Sequence, residues 1–260
     1  MYRLLISRNA VILRFDVMNK CNKLKEKFYS VRQYDNDTVF LEMVENNIDS
    51  GSVVLDLGAG AGRKFLYDLK NRVGPTGQIV GADFDNRVRE NPLIHRGVVL
   101  NSSSLPFGDG TFDVVFTRYV LEHVAVPEEF LTEVYRVLKP GGSFFFLTPN
   151  KWHYVCIAAR CTPKRFHEFY NRRRGREETD TFPTVYRLNT RSAVRRHLKK
   201  AGFVERELRM LECCPNYLIL AIPLFLMGVA YERLVNSTAL LEDLRVNILG
   251  HFVKTVCIDD

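Results

Sequence analysis

Three glycines at alternating positions, Gly58, Gly60 and Gly62, follow the apolar run Val53–Leu57 in "VVLDLGAGAGRKF". Backbone at such glycines passes close to a ligand and takes up conformations closed to other residues. The helix expected after them presents unpaired N–H groups and a positive dipole end, which suit an anionic group. The spacing is G-x-G-x-G, with Arg63 where the dinucleotide fingerprint needs Gly or Ala. Asp56 precedes the turn at the end of the apolar run. A second set of chemically capable residues, Tyr119, Glu122 and His123, falls within "RYVLEHV".

These residues need elements to position them. Short apolar runs recur after Gly51: "VVLDL", "QIVGAD", "GVVL", "FDVVFT" and "SFFFLT". Each is followed by a turn and a helical pattern, which predicts parallel strands joined by crossover helices. "PEEFLTEVYRVL" is the clearest helix, opening on Pro127 with two acids and ending at "KPGG". "NTRSAVRRHLKKAGF" predicts a helix capped by Asn189 or Thr190 and stopped at Gly202. "FVERELRML" alternates as a sixth strand, and "HFVKTVCI" reads as a seventh. The expected fold is α/β, a doubly wound (Rossmann-like), seven-stranded, mostly parallel sheet with a cap inserted over its carboxyl edge. Residues 1–50 read as helices over the ligand site, 51–150 as the binding core and 151–189 as a basic, aromatic cap. Residues 190–260 complete the sheet, with an apolar helical insertion at 216–235.

The net charge of +7 is unevenly placed. Between Lys151 and Arg209 basic residues outnumber acidic ones more than twofold, while the rest of the chain is slightly acidic. Such a patch points to an anionic partner or to a solvated surface. The six cysteines show no CxxC spacing, which argues for free thiols over a zinc or disulfide framework. Arg3, Arg8 and Arg14 break the first apolar clusters, so no secretory signal is expected. A cytoplasmic protein is expected, with a peripheral membrane placement as the further option.

Four segments together, "VLDLGAGAG", "IVGADFD", "SLPFGDGTFDVVFTRYVLEHV" and "VYRVLKPGGSFFFLTPN", resemble the class I S-adenosylmethionine-dependent methyltransferases. The match is to the subgroup holding quinone-biosynthesis and other small-molecule enzymes. It implies that Asp56, Gly58, Gly60 and Gly62 hold the methionine part of S-adenosylmethionine. Asp83 matches the acid that accepts from both ribose hydroxyls, a task suited to two oxygens with no competing donor. Phe84 is expected on the adenine. Asn101, beside Ser102, stands where the family usually has an Asp that reads the adenine amino group. Thr117 and Arg118 are expected beneath the sulfonium and acceptor.

The implied reaction is in-line methyl transfer, for which the protein mainly aligns the two partners. Where the acceptor must lose a proton, Glu122, His123 and Tyr119 are the candidate catalytic groups, with His153 and His167 in the cap. Quinone methyltransferases that use a divalent ion resemble E-x-x-E-H here. This chain keeps Glu122 and His123 but has Tyr119 at the first acid, so no metal is expected. Tyr29 and Tyr34 fall where the family lays a helix over the cofactor.

"YLILAIPLFLMGVAY", Tyr217–Tyr231, is too short to span a bilayer, which needs about 20 residues. Pro223 is expected to interrupt it as a helix. The preferred expectation is an apolar wall of the acceptor site or a surface resting on an anionic membrane, with a helix packed on the domain as the alternative. The acceptor is accordingly a small, apolar or lipid-like molecule. An RNA methyltransferase and a non-catalytic S-adenosylmethionine-binding scaffold are the competing readings. The first lacks an N/D-P-P-Y signature, and a nucleic-acid partner is not expected.

Overall fold

A computed structural model of the chain describes residues 20–29, 35–62, 69–161, 183–219 and 221–255. Its centre is a seven-stranded sheet of β1 (Val53–Leu57), β2 (Gln78–Asp83), β3 (Arg96–Val99), β4 (Phe112–Arg118), β5 (Leu138–Pro149), β6 (Phe203–Leu211) and β7 (Asn247–Lys254). The strand order is β3-β2-β1-β4-β5-β7-β6. Strands β1 to β5 pair in parallel, and β7 runs antiparallel to both neighbours. The order reverses between β1 and β4, and at such a switch point the carboxyl ends of the strands part to leave a crevice.

Phe144–Leu147 in "SFFFLT" are continuously apolar because β5 is buried on both faces, as central parallel strands are. Phe144 and Phe146 point into one core layer and Phe145 into the other, all with no exposure. The first layer packs on α4 (Pro127–Val137) through Leu131 and Val134, and on α6 (Arg191–Lys200) through Val194 and Leu198. The second packs on α2 (Asn36–Glu45) through Phe40 and Val44, and on α3 (Leu69–Val73) through Leu69 and Val73. α1 spans residues 20–28, and α5 (Tyr154–Cys161) follows β5.

Several sequence expectations shift here. β5 begins at Leu138, earlier than "SFFFLT", because the "KPGG" turn rejoins the edge of β4 at Phe112 across a register shift. β7 begins at Asn247, four residues before "HFVKTVCI". Its Gly250 hid it, yet glycine is required there because any Cβ would collide with the Phe146 ring. Thr190 is the cap of α6, accepting from the Ala193 N–H at 3.1 Å. Asn189 is drawn inward instead, donating to Thr148 Oγ1 at 2.7 Å and to the Pro149 carbonyl at 2.8 Å.

Pro223 does not break a helix. It sits in the first turn of α7 (Ile222–Asn236), where its missing N–H costs nothing. α7 buries Phe225, Gly228, Val229, Glu232 and Val235, and Phe225 and Val229 form a satellite core with Cys21, Tyr29 and Cys214. It lines none of the cavities described below, so the expected wall of the acceptor site is not found in α7. Tyr29 likewise packs on Phe225 and donates to Glu232 Oε2 at 3.3 Å. Tyr34 and His167, like most of the expected cap, lie outside the described residues. Among the described residues no helix is long and apolar enough to cross a membrane.

Candidate active site

A cavity of about 440 Å³ opens at the carboxyl edge, at the switch point between β1 and β4. Leu57 and Gly58 reach it from β1, Ala82 and Asp83 from β2, and Tyr119 and Val120 follow from β4. Gly58 has φ +90°, and a Cβ there would run into Val120 Cγ2. The turn therefore needs glycine for conformation and for space. At Gly62, with φ +68°, a Cβ would collide with the Asn91 amide, whose Nδ2 donates to the Ala59 carbonyl at 3.1 Å. The segment after the turn, including Arg63, lies outside the described residues.

Asp83 is tied to this turn. Its Oδ2 accepts from the Gly60 N–H at 2.8 Å, and its Oδ1 accepts from the Asp85 N–H at 2.9 Å. Phe84 stands beside it with 60% of its surface open, a ring available for stacking at the cavity mouth. Ser102 and Ser103 line the same wall, whereas Asn101 is exposed and does not. Asp56 lies behind the cavity, where removal from solvent pushes its carboxyl up to about 7. The Arg118 cation opposes that shift and the Asp83 carboxylate adds to it.

The residues after β4 divide. Tyr119 has φ +58°, rare outside glycine, and its ring lines the cavity while Asn247 Nδ2 donates to its hydroxyl at 3.2 Å. His123 also lines it. Its Nδ1 is 2.9 Å from the Pro183 carbonyl, which only accepts, so Nδ1 carries the proton in the neutral ring. Glu122 points away: it is buried, accepts from Thr148 Oγ1 at 3.0 Å, and burial raises its carboxyl pKa. Its backbone carbonyl also accepts from the Val185 N–H at 2.8 Å, which ties down the returning cap segment.

Thr117 is fully buried, with no partner for its hydroxyl among the described residues, and does not reach the cavity. Arg118 turns to α2 and pairs with Asp37 Oδ1 at 3.2 Å. His153 is buried away from the cavity with Glu212. Glu122 and His123 thus diverge, and among the described residues no group of three or more possible metal ligands converges.

Much of the wall consists of residues that carried no chemical signal: Leu100, Leu105, Val124, Val126 and Phe130. Glu133 also borders it and holds the 102–105 loop, accepting from the Leu105 N–H at 2.7 Å and the Ser104 hydroxyl at 3.3 Å. Arg136 grips the same carboxylate at 2.8 Å and so holds its pKa down to about 2. The spacing of Phe130, Glu133 and Arg136 on a helix was the available clue. A cradle of glycine backbone, an acceptor-only carboxylate and an open aromatic ring fits a nucleoside-bearing cofactor.

A family model described as a methyltransferase domain matches residues 55–146. The ubiquinone/menaquinone biosynthesis C-methyltransferase of Hydrogenovibrio crunogenus is 36% identical over 116 residues, covering 41% of this chain and 45% of that protein. Its counterpart from Pseudomonas putida is 34% identical over 154 residues, covering 51% and 60%. The chain thus spans about half the length of the curated relatives it matches. A solved S-adenosylmethionine-dependent methyltransferase from Aquifex aeolicus shares the fold at a TM-score of 0.50, with 20% identity over 91% of this chain and 97% of that one. The geranyl diphosphate C-methyltransferase of Streptomyces coelicolor does so at 0.52, with 14% identity over 84% and 76%. Strand order and matched segment lead to the same place: residues 55–146 match the methyltransferase-domain family, and over that segment the chain is similar to S-adenosylmethionine-dependent and quinone-biosynthesis methyltransferases.

Proposed function

We propose that the protein transfers a methyl group from S-adenosylmethionine to a small, apolar or lipid-like acceptor. The observation that carries this is the asymmetry of the cavity. Asp83 and the glycine turn supply its polar end, and Val120, Val124, Val126 and Phe130 supply an apolar remainder. Apolar walls with few polar groups suit an acceptor bound by burial of its surface. The relatives named as ubiquinone/menaquinone biosynthesis C-methyltransferases favour the same class.

The cofactor, when bound, supplies the electrophilic methyl. Asp83 holds its hydroxyl-bearing part by charge-assisted hydrogen bonds. Phe84 offers a stacking face, and the backbone at Gly58 allows close approach. The apolar wall excludes water and lines the acceptor up with the methyl. With Nδ1–H committed to the Pro183 carbonyl, the lone pair of neutral His123 resides on Nε2. That nitrogen is suited to take a proton from an acceptor. Tyr119, held by Asn247, lines the same cavity and helps to orient the acceptor.

Methyl transfer from labelled S-adenosylmethionine into an organic extract, with a prenylated hydroquinone as acceptor, tests this reading. Absence of cofactor binding by calorimetry would remove it. Binding with transfer only to RNA would replace the acceptor class.

A membrane-peripheral placement is favoured by one observation, the outward face of α7. Leu226, Met227 and Leu234 stand open there, Met227 at 66%, with Arg233 alongside. An apolar helical face beside a cation suits an anionic bilayer surface. Flotation with anionic vesicles, weakened by Met227→Glu, is expected. Equal flotation of wild type and variant would exclude this face.

A further inference from the structure

A second cavity, of about 470 Å³, lies across the first turn of α4 from the first. Val126 and Glu129 face the methyl-transfer cavity, whereas Pro127 and Glu128 face the second one. Lys151, Arg187 and Arg196 converge on it from three separate segments: the end of β5, the returning cap and α6. Among the described residues none of the three has a carboxylate within ion-pair distance. Their neighbours on α6 do: Arg195 pairs with Glu205 at 2.8 Å, and Arg191 pairs with Glu242 and Asp243. Lys151 lies over the Trp152 ring at 5.1 Å, and Arg196 donates to His197 Nε2 at 3.4 Å. The one carboxylate in the lining, Glu128, lies 3.3 Å from His197 Nδ1 and 3.8 Å from Lys200, and its charge also acts on Arg187, beyond ion-pair distance.

Like charges gathered on one concave surface repel one another, and the field is strengthened by low-dielectric walls. Ordinary surface cations avoid this by spreading into water or by pairing, as Arg191 and Arg195 do. Here Arg187 and Arg196 are exposed and Lys151 is half-buried, so the excess positive charge of the hollow is open to an anion from solution. The lining also supplies Thr190 and Ser192, whose hydroxyls stand 3.3 Å apart at the start of α6. Two guanidinium forks, an ammonium and hydroxyl donors match the several acceptor oxygens of a phosphate better than one carboxylate. The volume falls within the about 300–1,000 Å³ of ligand pockets, leaving room for more than the anion alone.

We propose that this cavity binds a phosphate monoester group, held by Arg187, Arg196 and Lys151, beside the methyl-transfer cavity. The group comes either from a small soluble ester or from a lipid headgroup. The site does not depend on the methyltransferase reading, because none of its residues lines the first cavity.

Calorimetry of the full chain with inorganic phosphate and with glycerol 3-phosphate tests it, using Arg187→Gln, Arg196→Gln and the control Arg195→Gln. The expected result is saturable binding that is about tenfold weaker or more in the first two variants and unchanged in the control. Competition of inorganic phosphate by phosphatidic acid vesicles would assign the group to a headgroup. Competition by glycerol 3-phosphate alone would assign it to a soluble ester. No saturable binding at about 10 mM phosphate, or equal weakening in Arg195→Gln, would overturn the proposal. Circular dichroism shows that each variant is folded, and unchanged S-adenosylhomocysteine binding separates this outcome from failure of the methyltransferase site.

Discussion

Asp83 Oδ2 accepts from the Gly60 N–H at 2.8 Å, so the acid that ends β2 is locked to the turn that leaves β1. One carboxylate thereby fixes the glycine loop and faces the cavity with its remaining lone pairs. Asp83→Ala is expected to lower S-adenosylhomocysteine affinity by about 1.5–3 kcal/mol, the range for hydrogen bonds to a charged group. Calorimetry measures this, and affinity within twofold of wild type would remove Asp83 from the cofactor site.

Gly58 combines a left-handed backbone with a contact that leaves no room for a Cβ. Gly58→Ala is expected to destabilise the fold by at least about 1 kcal/mol in urea unfolding. Adding Val120→Ala removes the steric part of the cost but not the conformational part. Recovery in the double variant is therefore expected to be partial, and full recovery would mean that the backbone angle costs nothing.

Asn247, at the start of β7, holds the Tyr119 hydroxyl after β4, across β5. Tyr119→Phe and Asn247→Ala are each expected to lower kcat/KM about fivefold, the equivalent of about 1 kcal/mol for one hydrogen bond. The double variant should be no worse than the singles, because both remove the same contact. Cofactor affinity should not move. Additive losses would show that the two residues act separately.

Glu212 and His153 face each other in the interior at 3.5 Å, with both side chains buried. Burial pushes the Glu212 carboxyl up to about 8 and the His153 ring down to about 3. Near neutral pH both are uncharged, so the contact is not an ion pair. Folded Glu212 keeps a proton that the unfolded chain loses from about 4.5, so its contribution to stability falls as pH rises from there to about 8. His153 works oppositely, since the unfolded ring takes up a proton below about 6.5 and stability falls as pH drops toward 3. In Glu212→Gln the falling limb should vanish, so the variant gains on wild type between pH 6.5 and 8. A constant difference in urea midpoint across that window would refute the buried, protonated carboxyl.

Parallel strands buried on both faces leave continuous apolar runs, so β1 to β5 were legible as "VVLDL" through "SFFFLT". The alternating glycines were equally legible, because positive φ and close approach restrict residue choice locally. The walls of the cavity were not. Val124, Val126 and Phe130 look like any core residues, and only their meeting at the open edge of the sheet makes them a binding surface.

Glu122 and His123 show where local reading stops. Adjacent in sequence and equally suited to proton transfer, they part at the short helical turn after β4. Glu122 goes under the returning cap to Thr148, and His123 goes to the cavity. The chain's own residues determined the strand sequence, the glycine turn and the acid that ends β2, since these follow from burial period and backbone sterics over a few residues. Tertiary structure alone decided that α7 packs on α1 away from the cavity, that Asn247 reaches Tyr119, and that three distant cations share one hollow. Each of those depends on contacts between segments far apart in the chain, which no local pattern encodes.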